Sequence, residues 1–187
     1  MNIFTKKIIL IFFLPFHNLA NKALPTFVVH LMEVSNCIKN KQYKFINAYY
    51  NFSDDKENNK FTVLQDITPS LNLTSQNTVL TKNIGWKVEP VFSGKIISSC
   101  FFLKNDLTVI PLIREFVDIP KECPVRKGVR QIIRKELLST TRPSLPFGCW
   151  MLKHELKDSK GLIVGCIKIV VIQSILFTLE EMKKQCH

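Results

Sequence analysis

Six cysteines decide most of what this chain can become: Cys37, Cys100, Cys123, Cys149, Cys166 and Cys186. All of them follow an N-terminal stretch that reads as an export signal. Lys6 and Lys7 give a short positive region, and Ile8 to Phe16 then run apolar. That run falls well short of the roughly 20 apolar residues a bilayer span takes, and it suits the hydrophobic region of a cleaved leader. Small residues follow at Ala20 and Ala23, and the leader is placed at residues 1–23. An even number of cysteines in an exported chain implies a disulfide framework. None stands in a CxxC pair, so no zinc site, other metal or cofactor is called for. Six cysteines permit fifteen pairings, and spacing alone does not choose among them.

Without the leader the chain is one domain, residues 24–187, long enough to bury its own core. Two triplets, Asn51-Phe52-Ser53 and Asn72-Leu73-Thr74, are glycosylation sequons that fit a secreted, extracellular protein. The formal net charge is +11, and loss of Lys6, Lys7 and Lys22 lowers it by three. Such an excess favours anionic partners, a charged membrane surface among them. Nucleic acid is set aside for an exported chain.

The residue pattern is mainly that of strands. Thr26 to Val34 is β-favouring, Lys41 to Phe52 alternates in part, and the polar Ser53 to Lys60 reads as a hairpin loop before a return strand at Phe61 and Val63. Asn72 to Lys82 is polar and Thr-rich, which predicts an edge strand or loop. Gly85 to Phe92 is a further strand. Leu103, Leu107, Ile110, Ile113 and Val117 recur at spacings of four and three, which is helical period, with Pro111 expected to kink or split the helix. Val129 to Leu138 is a basic strand candidate. Trp150 to Lys157 alternates cleanly, Asp158-Ser159-Lys160-Gly161 is a turn, and Leu162 to Phe177 closes a hairpin. A rival reading of Leu162 to Leu179 as a membrane helix would hold Lys168 near mid-bilayer at a cost of about 3 kcal/mol.

Catalytic signatures are missing. There is no G-x-S-x-G elbow and no phosphate loop, and His154-Glu155 lacks the second histidine of a zinc protease helix. His154 falls on the apolar side of its strand, where a hydrogen-bonded structural histidine is the expected reading. The chain is therefore read as non-enzymatic. Its surplus is apolar: 14 Phe, with 46% of residues hydrophobic. That surplus serves a core, or a cavity for an apolar ligand.

The order of several segments carries a resemblance. Gly85-Trp86-Lys87 precedes a strand ending in Ser99-Cys100; a helical stretch and Ile119-Pro120-Lys121-Glu122-Cys123-Pro124-Val125-Arg126-Lys127-Gly128 follow. Leu145-Pro146-Phe147-Gly148, an alternating strand, Asp158-Ser159-Lys160-Gly161 and a last strand with Cys166 complete the series. Thr26 to about Ile175 thereby resembles the arthropod secreted proteins similar to the GM2 ganglioside activator, within or beside the MD-2-related lipid-recognition group. Two features depart from that pattern. Cys149 and Cys186 lie outside the usual cysteines, and Val129 stands where a Tyr commonly follows Lys-Gly.

The resemblance implies a mainly β fold, an immunoglobulin-like β-sandwich or β-cup with a hydrophobic pocket and one short helical segment at about 101–117. It implies lipid binding or transfer without covalent chemistry. It also implies the bridge Cys37–Cys166; Cys100–Cys123, enclosing the helical segment, is expected beside it, and Cys149 and Cys186 either form an extra bridge, Cys149–Cys186, or stand as two odd thiols. The residues expected to line the pocket are Trp86, Phe92, Phe101, Phe102, Leu112, Ile113, Phe116, Trp150 and Leu152. Arg126, Lys127, Arg130 and Arg134 form a cluster that could meet anionic headgroups. The alternative is a secreted interaction or effector protein on the same scaffold, acting through its basic surface.

Overall fold

The computed structural model describes residues 26–38, 41–51, 60–82, 84–94, 96–107, 109–132, 136–139, 145–175 and 178–186. The leader at 1–23 and the loop after Asn51 thus lie outside the described residues. The elements are β1 (Phe27–Asn36), β2 (Ile46–Asn51), β3 (Lys60–Val63), β4 (Thr74–Lys82), β5 (Trp86–Val88), β6 (Ile97–Ser98), α1 (Ser99–Asn105), α2 (Val109–Phe116), β7 (Gly128–Gln131), β8 (Glu136–Ser139), β9 (Gly148–Lys157), β10 (Ile163–Ile175) and α3 (Leu179–Cys186). The fold is mainly β, and its strands form one sheet in the order β5-β4-β9-β10-β1-β2-β3-β7.

The centre is β10. Its Ile- and Val-rich sequence suits an extended backbone flanked on both edges, and it runs antiparallel between β1 and β9. Its two faces feed two cores. Ile167, Ile169 and Val171 belong to the larger. Val170 and Ile172 belong to a smaller one with Val28, Met32, Leu80, Met151 and Leu179. The membrane-helix reading of this run is thereby excluded. Lys168 sits on the strand and meets Glu33 Oε1 at 2.8 Å. Among the described residues no helix is long and apolar enough to cross a membrane.

β4 corrects an expectation. Its polar sequence suggested an edge strand or loop, yet it pairs with β9 over nine positions, from Thr74↔Lys157 to Lys82↔Cys149, and with β5 and β6 on its other side. Alternate residues do point inward, as they must on a pleated strand. Two of the inward residues, Ser75 and Asn77, are polar and buried. The period was there, but the chemistry hid it.

The sheet curls into a cup. Between β4 and β3 lie four strand-to-strand steps when β10 is followed directly to β2 through the parallel pair Gly165↔Ile46. Laid flat, that separation would be about 19 Å. Residues of β3 and β4 nevertheless face one shared interior. The Cys37–Cys166 bridge sits at the closing seam. There the Cys37 amide donates to Cys166 O at 3.1 Å, and those of Lys44 and Phe45 donate to Val164 O.

The helical segment proves to be two helices, and Pro111 does not divide them. The break lies earlier, where the Asp106 carboxylate accepts from the amides of Val109 (2.6 Å) and Ile110 (2.7 Å) and starts α2. Pro111 falls in the first turn of α2, where an amide has no helical partner to lose. Similarly, the expected basic strand is two strands on different partners: β7 pairs with β3, and β8 with β1. α3 went unanticipated. It covers the outer face of β10 with Leu179, and Cys149–Cys186 ties it down.

The disulfides are Cys37–Cys166, Cys100–Cys123 and Cys149–Cys186, with sequence separations of 129, 23 and 37. If their chief effect is to shrink the unfolded ensemble, paired Cys→Ala changes should cost about 5, 3.5 and 4 kcal/mol respectively. Urea denaturation of the three double variants checks both the sizes and the ranking.

Candidate ligand cavity

Inside the cup, under α1 and α2, lies a cavity of about 70 Å³. Phe61 and Val63 of β3 form one wall, Leu156 of β9 and Ile167 of β10 the opposite one, and Phe102 of α1 with Ile110 of α2 the roof. A second void of about 10 Å³ lies deeper, between α2 and the β1–β9–β10 face. The first space is far below the roughly 300–1,000 Å³ of ligand pockets. A long-chain occupant would need the roof to shift. The roof is two short helices joined by a break, with Cys100 at the start of the segment bridged to Cys123 beyond its end and Arg114 donating to Leu103 O and Pro120 O.

Among the described residues three polar side chains interrupt the apolar lining: Ser75, Ser99 and His154. Asn77 and His154 are directly opposed across β4 and β9. His154 Nδ1 lies 2.6 Å from Asn77 Oδ1. Because a carboxamide oxygen only accepts, Nδ1 carries the proton and Nε2 is the bare nitrogen. The imidazole stacks on Phe102 with centroids 5.4 Å apart. Burial disfavours its cation and lowers its pKa to about 4. This is a neutral histidine at ordinary pH. No third group that would make it a general base stands with it, and among the described residues no cluster of His, Cys, Asp and Glu could hold a metal ion.

The residues expected around the pocket do not all meet there. Phe102 and Ile113 line the larger cavity. Leu112, Phe116 and Leu152 line the deeper void together with Ile113. Trp150 is core, its Nε1 donating to Pro146 O at 2.8 Å, and Phe92 packs edge-on against it at 5.7 Å. Phe101 points outward at 59% exposure. Trp86 packs on the smaller core, on the far side of the sheet, with the Lys82 ammonium over its ring. Two causes account for these placements. Phe101 and Phe102 are neighbours on a helix and cannot face the same way, and β5 pairs only near the rim of the sheet. Sequence reasoning passed over Phe61, Val63 and Ile110 as pocket residues, and also Ser75 and Ser99. Helical spacing could have found Ile110; nothing in the pattern marked the serines.

The basic cluster is partly engaged within the chain. Arg126 Nη1 meets Asp66 Oδ2 at 2.9 Å, and Asp66 Oδ1 accepts the Lys127 amide at 2.7 Å. Those bonds hold the Asp66 carboxyl below its usual pKa. Arg130 donates back to Arg126 O at 3.2 Å, and Arg134 lies outside the described residues. Asn72 is exposed at a turn with φ 48°, open to a glycan, while the rest of the Asn51 sequon lies outside the described residues.

No family model matches this chain, and no curated protein does. Among solved structures it is similar to a Niemann-Pick type C2 protein from Japanese carpenter ant, at 14% identity over 75% of this chain and 90% of that one, with a TM-score of 0.23. So loose a likeness adds nothing to the geometry above.

Two outcomes follow from the cavity's construction. Phe116 is 2% exposed and touches only the deeper void. Phe116→Ala should therefore cost about 3–5 kcal/mol of stability, read from chemical denaturation. The second concerns pH. His154 has a folded pKa of about 4 against 6.5 unfolded. Between these values the unfolded chain binds the extra proton, so stability falls as pH drops through that window. The loss is on the order of 3 kcal/mol, and His30, also lowered by burial, adds in the same direction. His154→Gln should flatten most of the slope in a pH series of denaturation curves.

Proposed function

We propose that this chain is a secreted, non-enzymatic protein that binds a lipid or another apolar small molecule inside the β cup and carries it through water. The observation that supports this most is the cavity. It lies in the middle of the larger core, nearly all its described lining is apolar, and its roof is a pair of short helices. Close packing is the rule in protein interiors, so an apolar void in the core is a place for a guest.

The arrangement also supports a carrier over a catalyst. Catalysis needs groups whose reactivity is raised and aimed. Among the described residues the one titratable side chain on the lining, His154, is held neutral against an amide and a phenyl ring. The alternative, an effector acting through a basic surface, would draw on Arg126, Lys127 and Arg130. Arg126 is already paired with Asp66, and Arg130 is turned back onto the chain. The cavity reading therefore stands first.

Filling the space tests it. N-phenylnaphthylamine, which fluoresces in apolar surroundings, should bind the wild-type protein saturably. Ile110→Trp puts an indole into the roof of the cavity and should weaken uptake by about tenfold or more. Circular dichroism of the variant guards against simple unfolding. Equal uptake by a folded Ile110→Trp protein would put the ligand elsewhere.

A further inference from the structure

Ser75 and Ser99 are 2% and 7% exposed, and both line the cavity. Among the described residues neither hydroxyl has a hydrogen-bond partner in the protein. A buried hydroxyl without a partner is costly, and native interiors rarely leave one so. Here two lie close together. The Ser99 amide donates to Leu73 O at 2.9 Å, just before β4 and two residues ahead of Ser75. Ser75 and Asn77 share the inward face of β4, so His154, opposite Asn77, lies one side-chain step further along the same wall. The lining thus has a polar corner, and the rest of it is hydrocarbon.

We infer that this corner receives the polar end of the ligand, and that the ligand is an amphiphile with a single uncharged hydroxyl, bound head inward. The inference rests on the lipid-binding reading and sharpens it. Two hydroxyls can each donate or accept, which matches an alcohol. Among the described residues no lysine, arginine, aspartate or glutamate lines the cavity. An ionised carboxylate or phosphate placed there would lose its water and gain no countercharge, a heavy penalty in an apolar site. The His154 ring cannot supply that charge at neutral pH, since burial keeps it neutral. A plain hydrocarbon would bury both serines with nothing to bond. An alcohol satisfies them and leaves its chain to Phe61, Phe102 and Ile110.

Short probes, which ask the least movement of the roof, separate this inference from the lipid reading itself. n-Hexanol, hexanoate and n-hexane compete at neutral pH with bound N-phenylnaphthylamine, using wild-type protein, a Ser75→Ala/Ser99→Ala double variant and a control, Ser159→Ala, in the exposed turn. In wild type, hexanol should displace the probe at a concentration at least tenfold lower than hexanoate does. The ratio of hexanol to hexane affinity should fall about tenfold in the double variant and hold in the control. The melting temperature of the double variant should not drop, because hydroxyls without protein partners hold nothing together. If hexanoate matches hexanol, if the hexanol-to-hexane ratio survives loss of both serines, or if none of the three displaces a bound probe, the head-inward assignment is overturned and the cavity stays a lipid site. A drop in melting temperature would make the serines structural and overturn it too. If N-phenylnaphthylamine itself never enters the wild-type protein, the lipid reading falls and takes this inference with it.

Discussion

The fold depends on one strand that is apolar on both faces. β10 cannot lie on a surface, because either face left in water would expose Ile and Val side chains at roughly 25 cal/mol for each Å². It must be central in the sheet, and the sheet must be covered twice. On the inner side the sheet covers itself by curling, and α1 and α2 close what remains. On the outer side the cover is small: α3, eight residues long, with Leu179 buried and Met182 packed beside it. A helix that short has little stability of its own, so its covalent tie to Cys149 of β9 matters. The cysteine pair outside the expected family pattern thus has a physical task, which is to hold the lid on the second face.

The same constraint produces the cavity. A curled sheet encloses more space than its own side chains fill, and the cavity lies where β3 faces β9. Two helices with a break between them fit that gap imperfectly. The apolar remainder is the void under Phe102 and Ile110, and the polar remainder is the corner made by Ser75, Ser99 and His154. Stability, through a well-covered β10, and a proposed binding function, through an under-filled cup, therefore draw on the same architecture.

Much of this was legible in the sequence. The alternation in Trp150 to Lys157, the Asp-Ser-Lys-Gly turn and the apolar run after it gave the β9–β10 hairpin. There the Asp158 carboxylate accepts the amides of Lys160 and Leu162, and Gly161 takes φ 78°. Helical spacing gave a helical segment where α1 and α2 lie, though Leu107, one of the spaced residues, falls in the break between them and is exposed. The failures share a cause. β4 reads as polar because the side chains it buries are Ser75 and Asn77, and a hydrophobicity pattern cannot see a buried hydroxyl. Pro111 reads as a breaker until the start of α2 is known, and Asp106 sets that start. The pocket was half legible: the α1–α2 segment was expected as one wall, but the facing wall comes from β3, whose approach to β9 depends on sheet curl and on no local signal.

The central claim is that the interior of this protein holds a guest. The direct measurement is organic extraction of the protein purified from a secretory host, with mass spectrometry of the extract and quantitation against protein. The account predicts about one uncharged, hydroxyl-bearing amphiphile per chain, enriched over the host's abundant phospholipids. It is contradicted by a folded protein that yields no ligand and remains empty after incubation with lipid vesicles.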